Sequence, residues 1–312
     1  MKLANYKFIL RPSSKFTLPS YKGSTFRGGF GHTLKKITCQ NNEKNCTSCN
    51  LRSKCIYHYI FETTISQEIN GKQKHTELPH PFIIEPPFDR KRYYTPDDKI
   101  LLNLILVGHA IDYIPHIIFA FEELGRIGIG KDKGRYIIEK VINISEDNEI
   151  CIYGSSFHIK DECLMIDSTD LIKKTSQLNY QQITLNFLTP TRIKYQGKLI
   201  IDIDFEIIIK NLLRRLSWLA EIHCDEKWDL DWQGIISRAK NQVSMLNSNL
   251  YWYDWERYSQ RQVRKMKMGG FVGEATFSGD ISEFLPFLKL GEYLHIGKGT
   301  VYGLGKYEIK EE

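Results

Sequence analysis

Two apolar spacings alternate along the chain, one of every second residue and one of every third to fourth. In the first half they predict a strand over 6–11, a helix over 24–37 and extended segments near 57–62 and 81–86. A strand over 99–107, a helix over 113–124 and a strand over 136–144 follow. The second half repeats the order: a strand over 182–188, a long helix over 205–224, strands within 269–278, a helix over 284–294 and a last strand over 307–309. Each half approximates β-α-β-β-α-β, the ferredoxin-like order. The pattern therefore predicts an α+β fold of tandem ferredoxin-like (RRM-like) domains, 1–175 and 176–312, with the boundary near 173–179.

A repeat supports the duplication. "EELGRIGIGKDKGRYIIEKV" (122–141) runs Leu-Gly, Ile-Gly-Lys, Gly-Arg-Tyr, and "KLGEYLHIGKGTVYGLGKYEI" (289–309) runs Leu-Gly, Ile-Gly-Lys, Gly-Lys-Tyr with four extra residues between the last two elements. Both glycine loops join a helix to a strand. A dinucleotide fingerprint or a P-loop needs the reverse order, so that a helix N-terminus faces phosphate, and neither spacing is matched. Helix C-caps account for one glycine per loop. The others, Gly297, Gly299, Gly303 and Gly305 beside Lys298 and the first copy beside Lys131, Lys133 and Arg135, predict backbone amides and cations offered together to a sugar-phosphate chain.

Composition narrows the partner. A net charge of +6 over 312 residues suits an anionic ligand. The N-terminal "MKLANYKFILRPSS" is too short in apolar residues for a secretory signal. The apolar run 100–121 holds Asn103, His109, Asp112, Pro115 and His116, which reads as strand then helix and not as a membrane span. A cytoplasmic protein with reduced thiols is expected. Of seven cysteines, Cys39, Cys46, Cys49 and Cys55 fall as C-x6-C-x2-C-x5-C, a Cys-rich insertion over 39–55 whose four soft ligands predict a structural zinc, with an iron–sulfur cluster open on the same ligands. Cys151, Cys163 and Cys224 read as core. "YWYDWERYSQRQVRKMK" interleaves aromatics with Arg257, Arg261, Arg264 and Lys265, which predicts base stacking and phosphate pairing along one segment, with Tyr251, Trp252 and Trp255 in the core. A helix with an aromatic stripe and a basic solvated face is the competing reading of that segment.

Taken in order, "STFRGGFGHTLKKITC", "CTSCNLRSKCIYHYIFE", "RRLSWLAEIHC", "WYDWERYSQRQVRKMKMGGFVGEATFSGD" and the terminal "LGEYLHIGKGTVYGLGKYEI" resemble the CRISPR repeat-processing endoribonucleases of the RAMP superfamily. The resemblance implies binding of CRISPR repeat RNA (pre-crRNA) and cleavage that gives crRNA, with no cofactor for catalysis. It implies a catalytic histidine on or near the first helix, matched by His32, with Lys36 on the same helix face and Tyr21 just before it as a further participant. His295, inside the second glycine loop, is the alternative. A crRNA-binding RAMP subunit of an effector complex that does not cut stays open as a second function, general single-stranded RNA binding as a third, and both monomer and homodimer as assemblies.

Overall fold

The computed structural model describes residues 1–40, 46, 48–69, 72–154, 158–259 and 264–311, with the backbone alone at 64–69, 72–77, 257–259, 264–265 and 311. It divides into two units, Lys2–Met165 and Ile166–Glu312, Met1 belonging to the second.

The first unit opens on β1 (Lys2–Pro12), where Tyr6, Phe8 and Leu10 are buried and the residues between them reach solvent, the period of a half-covered strand. It continues through β2 (Phe16–Thr17), α1 (Gly23–Thr38), α2 (Ile56–Phe61), the hairpin β3 (Thr64–Ile69) and β4 (Lys72–Glu77), then β5 (Phe82–Glu85), β6 (Tyr93–Tyr94), β7 (Ile100–Val107), α3 (Ile114–Ile127), β8 (Tyr136–Ile144) and β9 (Glu149–Tyr153). An antiparallel sheet runs β5-β7-β1-β8-β9. Phe26, Phe30 and Leu34 recur every fourth residue of α1 and are all fully buried. Phe30 stacks on Phe121 of α3 at 5.0 Å, and Phe121 meets Phe8 of β1 at 5.0 Å. Helix, helix and sheet thus share one core, in which each buried phenylalanine contributes roughly 1.5–3 kcal/mol.

The second unit holds β10 (Ile166–Asp167), α4 (Ser168–Thr175), β11 (Gln182–Thr191), the short ribbon β12 (Lys194–Tyr195) and β13 (Lys198–Leu199), α5 (Phe205–His223), α6 (Trp232–Gln242), β14 (Val243–Tyr253), the hairpin β15 (Glu256–Ser259) and β16 (Arg264–Lys267), β17 (Gly270–Gly279), α7 (Leu285–Leu294) and β18 (Tyr307–Glu311). Its sheet runs β14-β17-β11-β18. In both units the first strand lies between the third and fourth of the β-α-β-β-α-β set, so the fold is a tandem of ferredoxin-like domains.

The repeated Leu-Gly pair acquires a structural reason. Tyr136 donates its hydroxyl to Phe121 O on α3 at 2.9 Å, and Tyr307 donates to Leu288 O on α7 at 2.6 Å. A Cβ on Gly125 would meet Tyr136 O at 2.3 Å, and one on Gly291 would meet the Tyr307 hydroxyl at 2.1 Å. In each copy a helix glycine makes room for the tyrosine of the next strand.

Several expectations are corrected. Residues 57–62 are not extended: Ile60 and Phe61 turn together into the core, and a short helix brings adjacent residues to one buried face. Among its described residues the segment 251–267 is not a helix: 251–253 end β14, and 256–259 pair with 264–267 as antiparallel strands. Tyr251 is 60% and Trp252 39% exposed, because β14 is the edge of its sheet. Cys151 and Cys163 are exposed and Cys224 half-buried, so none is core. No helix among the described residues is long and apolar enough to cross a membrane.

Candidate functional site

Helix α1 presents His32 to solvent. One turn on, Lys36 bonds Glu123 of α3 at 2.8 Å, and the same carboxylate receives Arg126 at 2.7 and 2.8 Å. These bonds, Arg126 first and then Lys36, hold the Glu123 carboxyl down at about 2. Lys35 lies over the Tyr57 ring at 5.3 Å. The exposed imidazole therefore stands on a helix whose two lysines are both anchored. Tyr21 is half-buried before α1, and burial with the Glu85 charge pushes its hydroxyl well above the ordinary tyrosine range.

His295 is fully buried, its backbone in the left-handed region at φ 58°, with Nδ1 3.0 Å from Leu304 O. A general base has to reach the proton it removes, and this imidazole is sealed inside the second loop.

That loop is folded back on the end of β11. Lys298 N–H donates to Arg192 O at 2.9 Å, Ile296 N–H to Gly305 O at 2.9 Å, and Gly305 N–H to Pro190 O at 3.2 Å. Thr189 joins in, its Oγ1 donating to Gly303 O at 2.8 Å and accepting from Lys306 N–H at 2.9 Å. These amides are not offered to a ligand, and Gly303 and Gly305 are buried. Gly305 is required by packing: its φ is +74° and a Cβ would lie 1.9 Å from Ile296 O. What the loop does present is its tip, half-exposed Gly297 and Gly299 on either side of exposed Lys298.

Beside the tip lies a feature that sequence reading missed. Arg192 donates Nη1 to Gly269 O at 2.5 Å, and desolvation lowers its pKa. A Cβ on Gly269 would touch the Trp252 indole at 2.7 Å, and that indole donates Nε1 to Asp254 at 2.8 Å. Trp252, Arg192 and the Gly297–Gly299 tip are thus contiguous, an anchored and exposed aromatic beside cations. At the end of α7 Arg215 donates Nε to Leu294 O at 2.9 Å while its Nη2 has no hydrogen-bond partner among the described residues; burial lowers this guanidinium to about 10.

In the first unit Lys131, Lys133 and Arg135 are exposed on the earlier loop, with Gly128 and Gly130 at φ 95° and 76°. Arg257 lies in β15 and Arg264 and Lys265 in β16, each described in backbone only; Arg261 lies outside the described residues. Cys39 ends α1 and Cys55 opens α2, both half-buried, as are Cys46 and Cys49. Among the described residues no group of three or more His, Cys, Asp or Glu side chains is placed to hold a metal ion. Residues 41–45 and 47 of the Cys-rich insertion lie outside the described residues.

Comparison with known proteins follows the same division. Residues 1–162 match the AF_1859_N family, N-terminal domain, and residues 185–307 match CRISPR-associated endoribonuclease Cas6. An uncharacterized protein of Archaeoglobus fulgidus is 24% identical over 95% of this chain and 94% of its own. Among solved structures, Thermus thermophilus Cas6 is 13% identical, covers 99% of this chain and 98% of its own, and superposes with a TM-score of 0.56. The product complex of that Cas6 reaches a TM-score of 0.60 at 14% identity over 99% of this chain and 100% of its own. The chain belongs to the AF_1859_N family, whose N-terminal domain covers residues 1–162, and its residues 185–307 are similar to CRISPR-associated endoribonuclease Cas6.

Proposed function

We propose that this protein cuts CRISPR repeat RNA without a divalent metal, by attack of the ribose 2′-oxygen on the adjacent phosphate, leaving a 2′,3′-cyclic phosphate and a 5′-hydroxyl. The observation that carries the reading is the exposed His32 on α1 beside two lysines, in a Cas6-type chain. The nucleophile is supplied by the RNA itself, so the protein has to provide a base and charge for the phosphorane. His32 takes the 2′-hydroxyl proton as the oxygen bonds phosphorus. Lys36 leaves Glu123, which keeps Arg126, and meets the phosphorane oxygens. The bond to the 5′-oxygen breaks, water protonates that oxygen, and the imidazolium returns its proton to solvent. The Gly297–Gly299 tip, Lys298, Arg192 and Trp252 hold RNA in the second unit.

The test is single-turnover cleavage of the repeat RNA from the host's own CRISPR array, in EDTA. Replacing the one ribose 5′ of the cut with deoxyribose abolishes cleavage and leaves binding nearly intact. His32→Ala lowers the rate by roughly a hundredfold or more, the scale of a lost general base, at unchanged affinity. Cleavage of the deoxy substrate overturns the mechanism, and tight binding of the all-ribose repeat without any cleavage makes the chain a crRNA-binding subunit.

A further inference from the structure

The first unit carries a second charged surface that this chemistry does not use. The ribbon of β2 and β6 pairs Phe16 with Tyr94 and Thr17 with Tyr93. On one side it is clasped by the first glycine loop: Thr17 N–H donates to Asp132 at 3.0 Å, and a Cβ on Gly130 would lie 3.1 Å from Leu18. On the other side buried Lys22 donates to Asp89 O at 2.8 Å and to its carboxylate at 2.9 Å, while Leu18 N–H bonds Arg92 O at 2.8 Å. Both flanks are fixed to the ribbon, and both are cationic.

Arg90, Arg92, Lys131, Lys133 and Arg135 are all exposed, and among the described residues none of the five is in an ion pair. The acids on these two loops have other partners: Asp89 pairs with Lys22, and Asp132 accepts from the Thr17 amide. Asp98, just beyond the ribbon, pairs with Lys91. Between the two cationic flanks Tyr93 is 53% exposed on β6. Unneutralised cations on both sides of an exposed aromatic held on a paired strand suit a chain that alternates phosphates with planar bases.

We propose that this surface binds single-stranded RNA, its phosphates on the five cations and one base stacked on Tyr93, as a second contact region separate in sequence from the 295–305 loop. It rests on the reading above for the nature of the polyanion.

Fluorescence anisotropy with a labelled twenty-nucleotide oligouridylate, titrated over a range of salt, tests it on the full chain. A variant with Arg90, Arg92, Lys131 and Lys133 all changed to Ala should lose about 3 units of the slope of log K against log salt, at roughly 0.7 per single-strand phosphate contact. Tyr93→Ala should weaken binding by roughly tenfold at an unchanged slope, and Tyr93→Phe should restore it. Photocrosslinking with 4-thiouridine in the same oligomer should mark peptides spanning 90–93 or 131–135, a readout on wild-type protein that does not depend on any variant folding. Unchanged slopes with crosslinks only elsewhere overturn the proposal, as does wild-type protein that binds anionic phosphatidylserine vesicles but not the oligomer. The two readings fail separately: repeat cleavage with an unaffected quadruple variant removes this surface and keeps the nuclease, whereas loss of affinity in that variant without any repeat cleavage does the reverse.

Discussion

Helix α1 carries three interior glycines, each about 1 kcal/mol less favourable there than alanine, and only two have a packing reason. A Cβ on Gly29 would stand 2.7 and 2.8 Å from the two methyls of Leu124, and one on Gly31 would stand 2.9 Å from the Phe61 ring. Gly28 has nothing within 4 Å of its Cβ position. It is exposed one turn before His32, on the same helix face. Gly28→Ala should therefore stabilise the first unit by about 1 kcal/mol and raise its melting temperature by about 2–4 °C. Gly29→Ala gains the same propensity but forces Leu124 aside, an overpacking cost of about 1–3 kcal/mol, for a net loss of about 1 kcal/mol. Differential scanning calorimetry of the two variants should place them about 4–8 °C apart, on opposite sides of wild type. Equal shifts would refute the packing account. On the proposed mechanism the notch at Gly28 is room for RNA beside His32, so Gly28→Ala should slow single-turnover cleavage by roughly tenfold or more through misplacement of the substrate. A more stable variant that cuts at the wild-type rate would remove the substrate from this face of α1.

Gly305→Ala should destabilise the second unit by about 3 kcal/mol or more, adding a left-handed backbone penalty of about 1–2 kcal/mol to two weakened hydrogen bonds of about 1 kcal/mol each; a denaturant midpoint equal to wild type would contradict this. Lys298→Ala should leave the melting temperature alone and lower the salt slope of RNA binding by about 0.7, with an unchanged slope placing phosphate elsewhere. Glu123 has a carboxyl lowered in the fold from 4.5 to about 2, so its stabilising contribution is complete above 4.5 and fades as pH falls toward 2. Urea melts should accordingly show Glu123→Gln less stable than wild type by a constant amount at neutral pH, with the gap closing in acid; a gap that widens in acid would reverse the sign of this linkage.

The tandem fold was legible because its periodicities are local and because the glycine loops repeat, down to the Tyr136 and Tyr307 that follow them. What was not legible depended on where elements come to rest. An aromatic on a strand looks the same whether the strand is central or at an edge, so Trp252 and Tyr251 were read as core although β14 leaves them exposed. Glycine beside lysine suggested open backbone at every loop position, yet the amides of 296, 298 and 305 meet the loop itself, Arg192 just past β11 and Pro190 on it, long-range contacts without a sequence signal. The pairing of Lys36 with Glu123 crosses between helices far apart in sequence and was missed for the same reason.

The hydroxyl that Tyr307 gives to α7 and the bare α-carbon of Gly291 amount to one trait written at two positions. A methyl at 291 collides with the phenol hydroxyl at 2.1 Å and with Leu212 at 2.7 Å, whereas loss of the hydroxyl at 307 leaves the glycine its helix penalty without its main purpose. Descendants of this gene should therefore admit alanine at 291 only after the hydroxyl at 307 is gone and Leu212 has shrunk or shifted. The pair at 125 and 136, where the collision is mainly with backbone, should tolerate no such exchange, so the older symmetry of the two halves ought to erode first in the second.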